Sequence, residues 1–214
     1  MGKRAVVIGA TGLVGKAVVE KLVASEAVDE IVTLTRRAVE YASPKVQNRV
    51  VDFEKLEEAD FGMTGDWMFS CLGTTRKQAG SIEAQRRVDF DYQLRAAEFA
   101  AKQGIRHYLL VSSAGADEKS NNPYLRMKGE LDQRVQTLGF SRISIFRPSL
   151  LLGERPQMRM GEKLGSWILP LLCRLPGLRP YRPITGEQVA TKMFLVSQSS
   201  GPSFECFALD QVFP

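Results

Sequence analysis

Histidine occurs once, at position 107, and cysteine only at positions 71, 173 and 206. Ligating side chains this few and this widely spaced exclude a Cys/His metal centre. An odd number of dispersed cysteines also argues against a disulfide framework, and the expected compartment is a reducing one, the cytoplasm. Long apolar runs are missing: nothing approaches the ~18 consecutive apolar residues of a membrane span. The apolar run after Lys3-Arg4 breaks at Gly9-Ala10-Thr11-Gly12, too early for a secretory signal. Val6 stands where a myristoylation start at Met1-Gly2 would need Ser or Thr. The formal net charge is +5. Its basic residues are scattered, apart from Arg36-Arg37, Arg86-Arg87 and a C-terminal cluster, so nucleic acid is not an expected partner. With 44% hydrophobic and 25% charged residues over 214 positions, the composition is that of one globular domain, 1–214, with room for a substantial core.

The organising stretch is Arg4 to Lys16, RAVVIGATGLVGK. Ala5-Val6-Val7-Ile8 reads as a strand buried on both faces, as parallel strands are. Gly9, Gly12 and Gly15 follow, and then a helix begins with Val14, Val18, Leu22 and Val23 on one side. Strand, glycine turn and helix in this order form a dinucleotide-binding signature. Gly9 permits a tight turn, Gly12 lets backbone approach a pyrophosphate, and Gly15 lets the helix pack close. The helix N-terminus then directs unpaired N–H groups at the phosphates.

Glu30 to Thr35 reads as the second strand and ends in Arg36-Arg37. About twenty residues past the glycines, NAD enzymes place an acid for the ribose 2′-OH, whereas basic residues accommodate a 2′-phosphate. Two guanidiniums here predict NADP(H) as the cofactor. Arg49 to Phe53 reads as a third strand; Asp52 near its end reads as a turn or helix cap. Asp66 to Thr75 reads as the fourth strand and its exit loop, with Leu72 and Gly73 beside the crevice and Cys71 as a small buried residue. Residues 81–103 form one long helical pattern stopped by Gly104. Arg106 to Ser113 is the fifth strand, with His107 at the end away from the crevice and therefore structural.

Ser112-Ser113 ends that strand, and Tyr124 and Lys128 follow at the spacing that puts i and i+4 on one helix face. A phenol titrates near ~10 in water, and a nearby ammonium lowers that value. Tyr124 can then donate a proton, Lys128 can hold the ribose, and a serine hydroxyl can polarise a carbonyl. Arg142 to Pro148 is the sixth strand.

The GxxGxxG pattern resembles the extended and atypical branches of the short-chain dehydrogenase/reductase superfamily. Cys71 to Arg76, Val88 to Tyr92, Ser112 to Asp117, Tyr124 to Glu130 and Phe146 to Leu152 narrow the likeness to the Tat-interacting-protein family, an oxidoreductase-like branch. That resemblance covers almost the whole chain. It implies NADPH bound by Thr11, Gly12, Leu13, Val14, Arg36, Arg37, Leu72, Tyr124 and Lys128, with Leu151 and Arg159 near the nicotinamide and outer phosphates. It also places Asp52 near the adenine amino group. The Asn common in the long helix of the wider superfamily is replaced around Asp89. The short gap before Tyr124 leaves Ser112 and Ser113 both as candidates to face the substrate.

Residues 154–183 interleave basic side chains with leucines and prolines. This segment reads as a lid over a hydrophobic or anionic small-molecule substrate, or as a contact for a second copy or a partner protein. A helix packed on the core is the plainer alternative, and a membrane-surface helix a weaker one. Thr185 caps a final helix to about Ser197, and Phe204 to Leu209 closes the sheet. The expected fold is a doubly wound α/β domain of Rossmann type with a parallel sheet of about seven strands and a short C-terminal substrate-covering segment. The expected activity is NADPH-dependent carbonyl reduction by Tyr124, Lys128 and Ser113 or Ser112. A non-catalytic NADPH-responsive regulator is the alternative. A nucleotide-sugar epimerase is less favoured, because those relatives carry a larger C-terminal region.

Overall fold

The first strand, β1 (Lys3–Ile8), feeds two cores at once. Val6 and Ile8 point into one apolar cluster, Ala5 and Val7 into the other, and all four are fully buried. That alternation with no solvent face is why the run is uniformly apolar. In the computed structural model, which describes residues 2–56, 65–152 and 179–214, the strands that follow are β2 (Val28–Thr35), β3 (Val46–Val50), β4 (Trp67–Ser70), β5 (His107–Val111) and β6 (Arg142–Arg147). Two short strands, β7 (Leu151–Leu152) and β8 (Ile184–Thr185), pair apart from the main sheet, and β9 (Phe204–Ala208) completes it.

Among the described residues the main sheet has seven strands in the order β3-β2-β1-β4-β5-β6-β9, and every neighbouring pair is parallel. The helices are α1 (Leu13–Ala24), α2 (Arg76–Ala79), α3 (Ile82–Arg86), α4 (Tyr92–Lys102), α5 (Pro123–Gln136) and α6 (Gly186–Gln198). Val14, Val18 and Leu22 of α1 join Val189 and Met193 of α6 on one face of the sheet. Ala96 and Phe99 of α4 join Met127 and Leu131 of α5 on the other. The strand order reverses between β1 and β4, and the crevice beyond their carboxyl ends is where doubly wound sheets take ligands. Among the described residues no helix is long and apolar enough to cross a membrane.

Three elements differ from the sequence reading. The third strand ends at Val50, three residues before the expected Phe53. Asn48 sets its register by donating to the Thr33 and Thr35 hydroxyls at 2.9 and 2.8 Å. Asp52 then turns the chain, its carboxylate accepting the Glu54 N–H at 2.9 Å. The helical pattern at 81–103 carries a π turn, Arg87–Asp91, between α3 and α4. The Gln93 amide fills in there, donating to the Asp89 carbonyl at 2.8 Å. The last strand stops at Ala208, because Leu209 adopts a left-handed φ of 53° and opens a 3₁₀ turn. Thr185 does cap α6, in a reciprocal capping box with Gln188. Of the expected 154–183 lid, residues 154–178 lie outside the described residues.

Candidate functional site

Gly9 leaves β1 with φ +74°, and a Cβ there would meet the Cys71 carbonyl carbon and oxygen at 2.5 Å. Only glycine lets the two strand exits close up in this way. A Cβ on Gly15 would press into the Gly9 carbonyl, so this glycine seats α1 against the loop. Gly12 differs: the nearest atom to a Cβ there is the Gly9 oxygen at 3.3 Å. Gly12 is the N-cap of α1 and gives no side-chain cap, and no acid occupies the first turn. The amides of Leu13, Val14 and Gly15 therefore sit at an uncapped positive helix end, suited to an anion.

These groups open on a cavity of about 560 Å³. Gly9, Thr11 and Gly12 line it together with Cys71, Leu72 and Gly73 at the exit of β4 and with Arg36 after β2. Loop amides, an apolar wall and a guanidinium fit the pyrophosphate, adenine and ribose of a dinucleotide. Arg37 and Asp52 do not line this cavity. The Arg37 carbonyl accepts the Thr35 hydroxyl at 2.7 Å, and Asp52 is spent on its turn. Phe53, Arg87 and Tyr92, which the sequence reading did not assign to the site, do line it.

Tyr124, Lys128, Ser112 and Ser113 do not line this cavity; the first two lie on α5 and the serines follow β5. Asn122 caps this helix by accepting the Tyr124 N–H at 3.0 Å and the Leu125 N–H at 3.3 Å, and Pro123 opens it. Tyr124 is half-buried against the apolar core. Lys128, one turn on, is buried and donates to the Val111 carbonyl at 3.0 Å. Its charge acts on Cys71, Asp89 and Asp132. A cation this deep is balanced by the two buried carboxylates. Burial pushes Asp89 and Asp132 above the usual carboxylate range, against the pull of Lys128 and their hydrogen bonds.

Ser112 and Ser113 part company here. Ser112 is buried and donates to Asp132 Oδ2 at 2.9 Å, the same oxygen that accepts Arg147 Nε at 2.9 Å. Ser113 is part-exposed and bonds only weakly to its neighbour's carbonyl, at 3.3 Å. Asp132 was missed in the sequence, although its signal was there: it follows Lys128 by four residues and Tyr124 by eight, on one helix face. Asp89 sits in the π turn, its carboxylate accepting the Thr74 N–H at 3.2 Å.

Two other side chains take structural roles. Burial raises the Cys71 thiol to about 12, against a pull from Lys128, so it is no thiolate nucleophile. Burial, with Arg142 nearby, lowers His107 to about 3; its Nε2 lies 2.7 Å from the Ser144 hydroxyl. Leu151 pairs with Ile184 in the short second sheet. Arg159 lies outside the described residues.

The fold and the cradle define a nucleotide-binding domain of the Rossmann type. Comparison with known proteins agrees. The family described as NAD(P)H-binding matches residues 9–159. Protein HTATIP2 of Rattus norvegicus is 41% identical over 166 residues, spanning 76% of this chain and 68% of the relative. The mitochondrial protein fmp52 of Emericella nidulans is 39% identical over 175 residues, spanning 78% of this chain and 75% of the relative. Among solved structures, MoeE5 in complex with UDP-glucuronic acid and NAD superposes with a TM-score of 0.70 at 16% identity, covering 96% of this chain and 76% of that one. A UDP-glucose 4-epimerase from Thermotoga maritima gives 0.66 at 15%, covering 96% and 76%. At such identities these structures share the fold. The chain belongs to the NAD(P)H-binding family, as an atypical short-chain dehydrogenase/reductase-like member related to HTATIP2 and the FMP52 proteins.

Proposed function

We propose that the chain is an NADP(H)-dependent oxidoreductase that reduces a carbonyl. The observation that supports this most is Cys71: it lines the nucleotide cavity and also lies within the field of the buried Lys128. Lys128 is thereby close to the exit of β4 that lines the cavity, and Tyr124 stands one turn before it on α5. When bound, the nicotinamide cofactor supplies the hydride. The α1 amides and Gly12 hold the pyrophosphate, and Arg36 faces the 2′-phosphate. Tyr124 delivers a proton to the carbonyl oxygen. Lys128, one turn along the same helix, offers its ammonium to the phenolate left behind. Ser113, whose hydroxyl is not spent on Asp132, orients the oxygen.

The test is NADPH oxidation with a panel of aldehydes, ketones and quinones, for wild type and Tyr124→Phe. Turnover by wild type and none by a variant that still binds NADPH is the expected result. Turnover that survives in Tyr124→Phe removes the assignment. A second reading, a non-catalytic NADPH-responsive regulator, draws support from Lys128, whose ammonium is committed to the Val111 carbonyl. Tight NADPH binding without turnover on any substrate class would favour it.

A further inference from the structure

Arg36 shares the cavity lining with a second arginine, Arg87, and with Phe53 and Tyr92, and no carboxylate lines any part of it among the described residues. An NAD-selective site would put an acid at this point to bind the free 2′-OH. Arg37, the second cation expected from the sequence, lies outside the cavity. Arg87 lines it instead, and Arg36 and Arg87 both lie near enough to Tyr92 for their charges to act on its hydroxyl. Arg87 opens the π turn, Arg87–Asp91, a local winding that recurs at functional sites.

The neighbours of Arg87 leave it available. Glu54 already receives the Tyr92 hydroxyl at 2.9 Å on one oxygen and Arg95 at 2.7 Å on the other. Arg87 Nε lies 3.6 Å from Glu54, near enough for charge attraction but beyond a hydrogen bond. Its side chain is 64% exposed. A carboxylate thus parks Arg87 at the cavity rim while its guanidinium donors stay uncommitted. Two guanidiniums lining one cavity beside Tyr92 suit a dianionic phosphate, which can accept from both.

We infer that Arg87 is the second cation of the adenosine-end site, and that it selects a 2′-phosphorylated nucleotide jointly with Arg36. This rests on the reading that NADP(H) binds the cavity, and it moves the specificity role from the Arg36-Arg37 pair to an Arg36–Arg87 clamp.

The test is binding of 2′,5′-ADP and 5′-AMP, with NADPH in parallel, to wild type, Arg36→Ala, Arg37→Ala, Arg87→Ala and Arg87→Lys. Removing one charge-assisted contact should weaken 2′,5′-ADP about ten- to a hundredfold in Arg36→Ala and Arg87→Ala, leaving 5′-AMP within about twofold. Arg37→Ala should change little, and Arg87→Lys should recover part of the loss. Thermal unfolding of each variant checks that the fold is intact. If NADPH binds and Arg87→Ala leaves 2′,5′-ADP unchanged, or weakens both nucleotides equally, the Arg87 role is overturned while the cofactor reading survives. If wild type binds neither NADPH nor 2′,5′-ADP, the cofactor reading falls and the clamp with it.

Discussion

Replacing Asp132 with alanine should cost more stability than any other single change at the site. Its side chain is fully buried on α5 and gathers two groups on one oxygen: the Ser112 hydroxyl from the end of β5 and Arg147 Nε from the end of β6, each at 2.9 Å. Truncation leaves a buried hydroxyl without its acceptor and a partly buried guanidinium without its counter-ion. Removing one partner of a buried ion pair costs roughly 3–5 kcal/mol. Two facts move the expectation toward the low end. The Arg147 side chain is 29% exposed and can reach water. Burial also raises the Asp132 carboxyl, so its charge is already held at a cost, and Oδ1 has no hydrogen-bond partner. The expected loss is about 3 kcal/mol, which in a domain of this size lowers Tm by roughly 6–12 °C. Ser112→Ala should lose only about 1 kcal/mol, the worth of an ordinary hydrogen bond. Urea unfolding with unchanged m-value reads both. An Asp132→Ala variant within about 0.5 kcal/mol of wild type would refute the claim that this carboxylate ties the two strand ends to the helix.

Two further outcomes follow from the geometry. Gly15→Ala should destabilise by about 2 kcal/mol and weaken NADPH binding, since the added methyl meets the rigid Gly9 carbonyl; thermal unfolding and a binding titration check both, and a wild-type-like variant would contradict the packing. The single histidine gives a clean titration: with His107 lowered to about 3 by burial and Arg142, its NMR signal should not titrate between about pH 8 and 5. Because the folded value is depressed, His107 contributes stability that is present above about pH 6.5 and is lost as pH falls toward the folded value. A midpoint near ~6.5 would show that the ring is solvated instead.

The glycine loop was legible because each requirement writes itself as a residue type. A two-sided core demands the run Ala5 to Ile8, and close approach demands Gly9 and Gly15. Thr185 announced its N-cap in the same local way. What stayed hidden depended on distant partners. A Tyr-x-x-x-Lys spacing identifies a helix face but not which serine faces it. Asp132 separates Ser112 from Ser113 through a bond between residues twenty positions apart. Arg37 looked equivalent to Arg36, yet only Arg36 lines the cavity. Arg87 and Tyr92 looked like ordinary helix residues until the π turn and Glu54 put them on the cavity wall. Beyond Val50 the chain turns at Asp52, whose carboxylate accepts the Glu54 N–H, a polar contact that a hydrophobic pattern does not register.

The most direct test of the whole account is a calorimetric titration of the chain with NADPH and, separately, NADH. Saturable one-to-one binding of NADPH, tighter than NADH by about tenfold or more, is the result that an uncapped α1 and two arginines lining one cavity demand. Equal affinity would contradict the reading of the Arg36 end, and failure of either nucleotide to bind would contradict the cradle built from Gly9 onward.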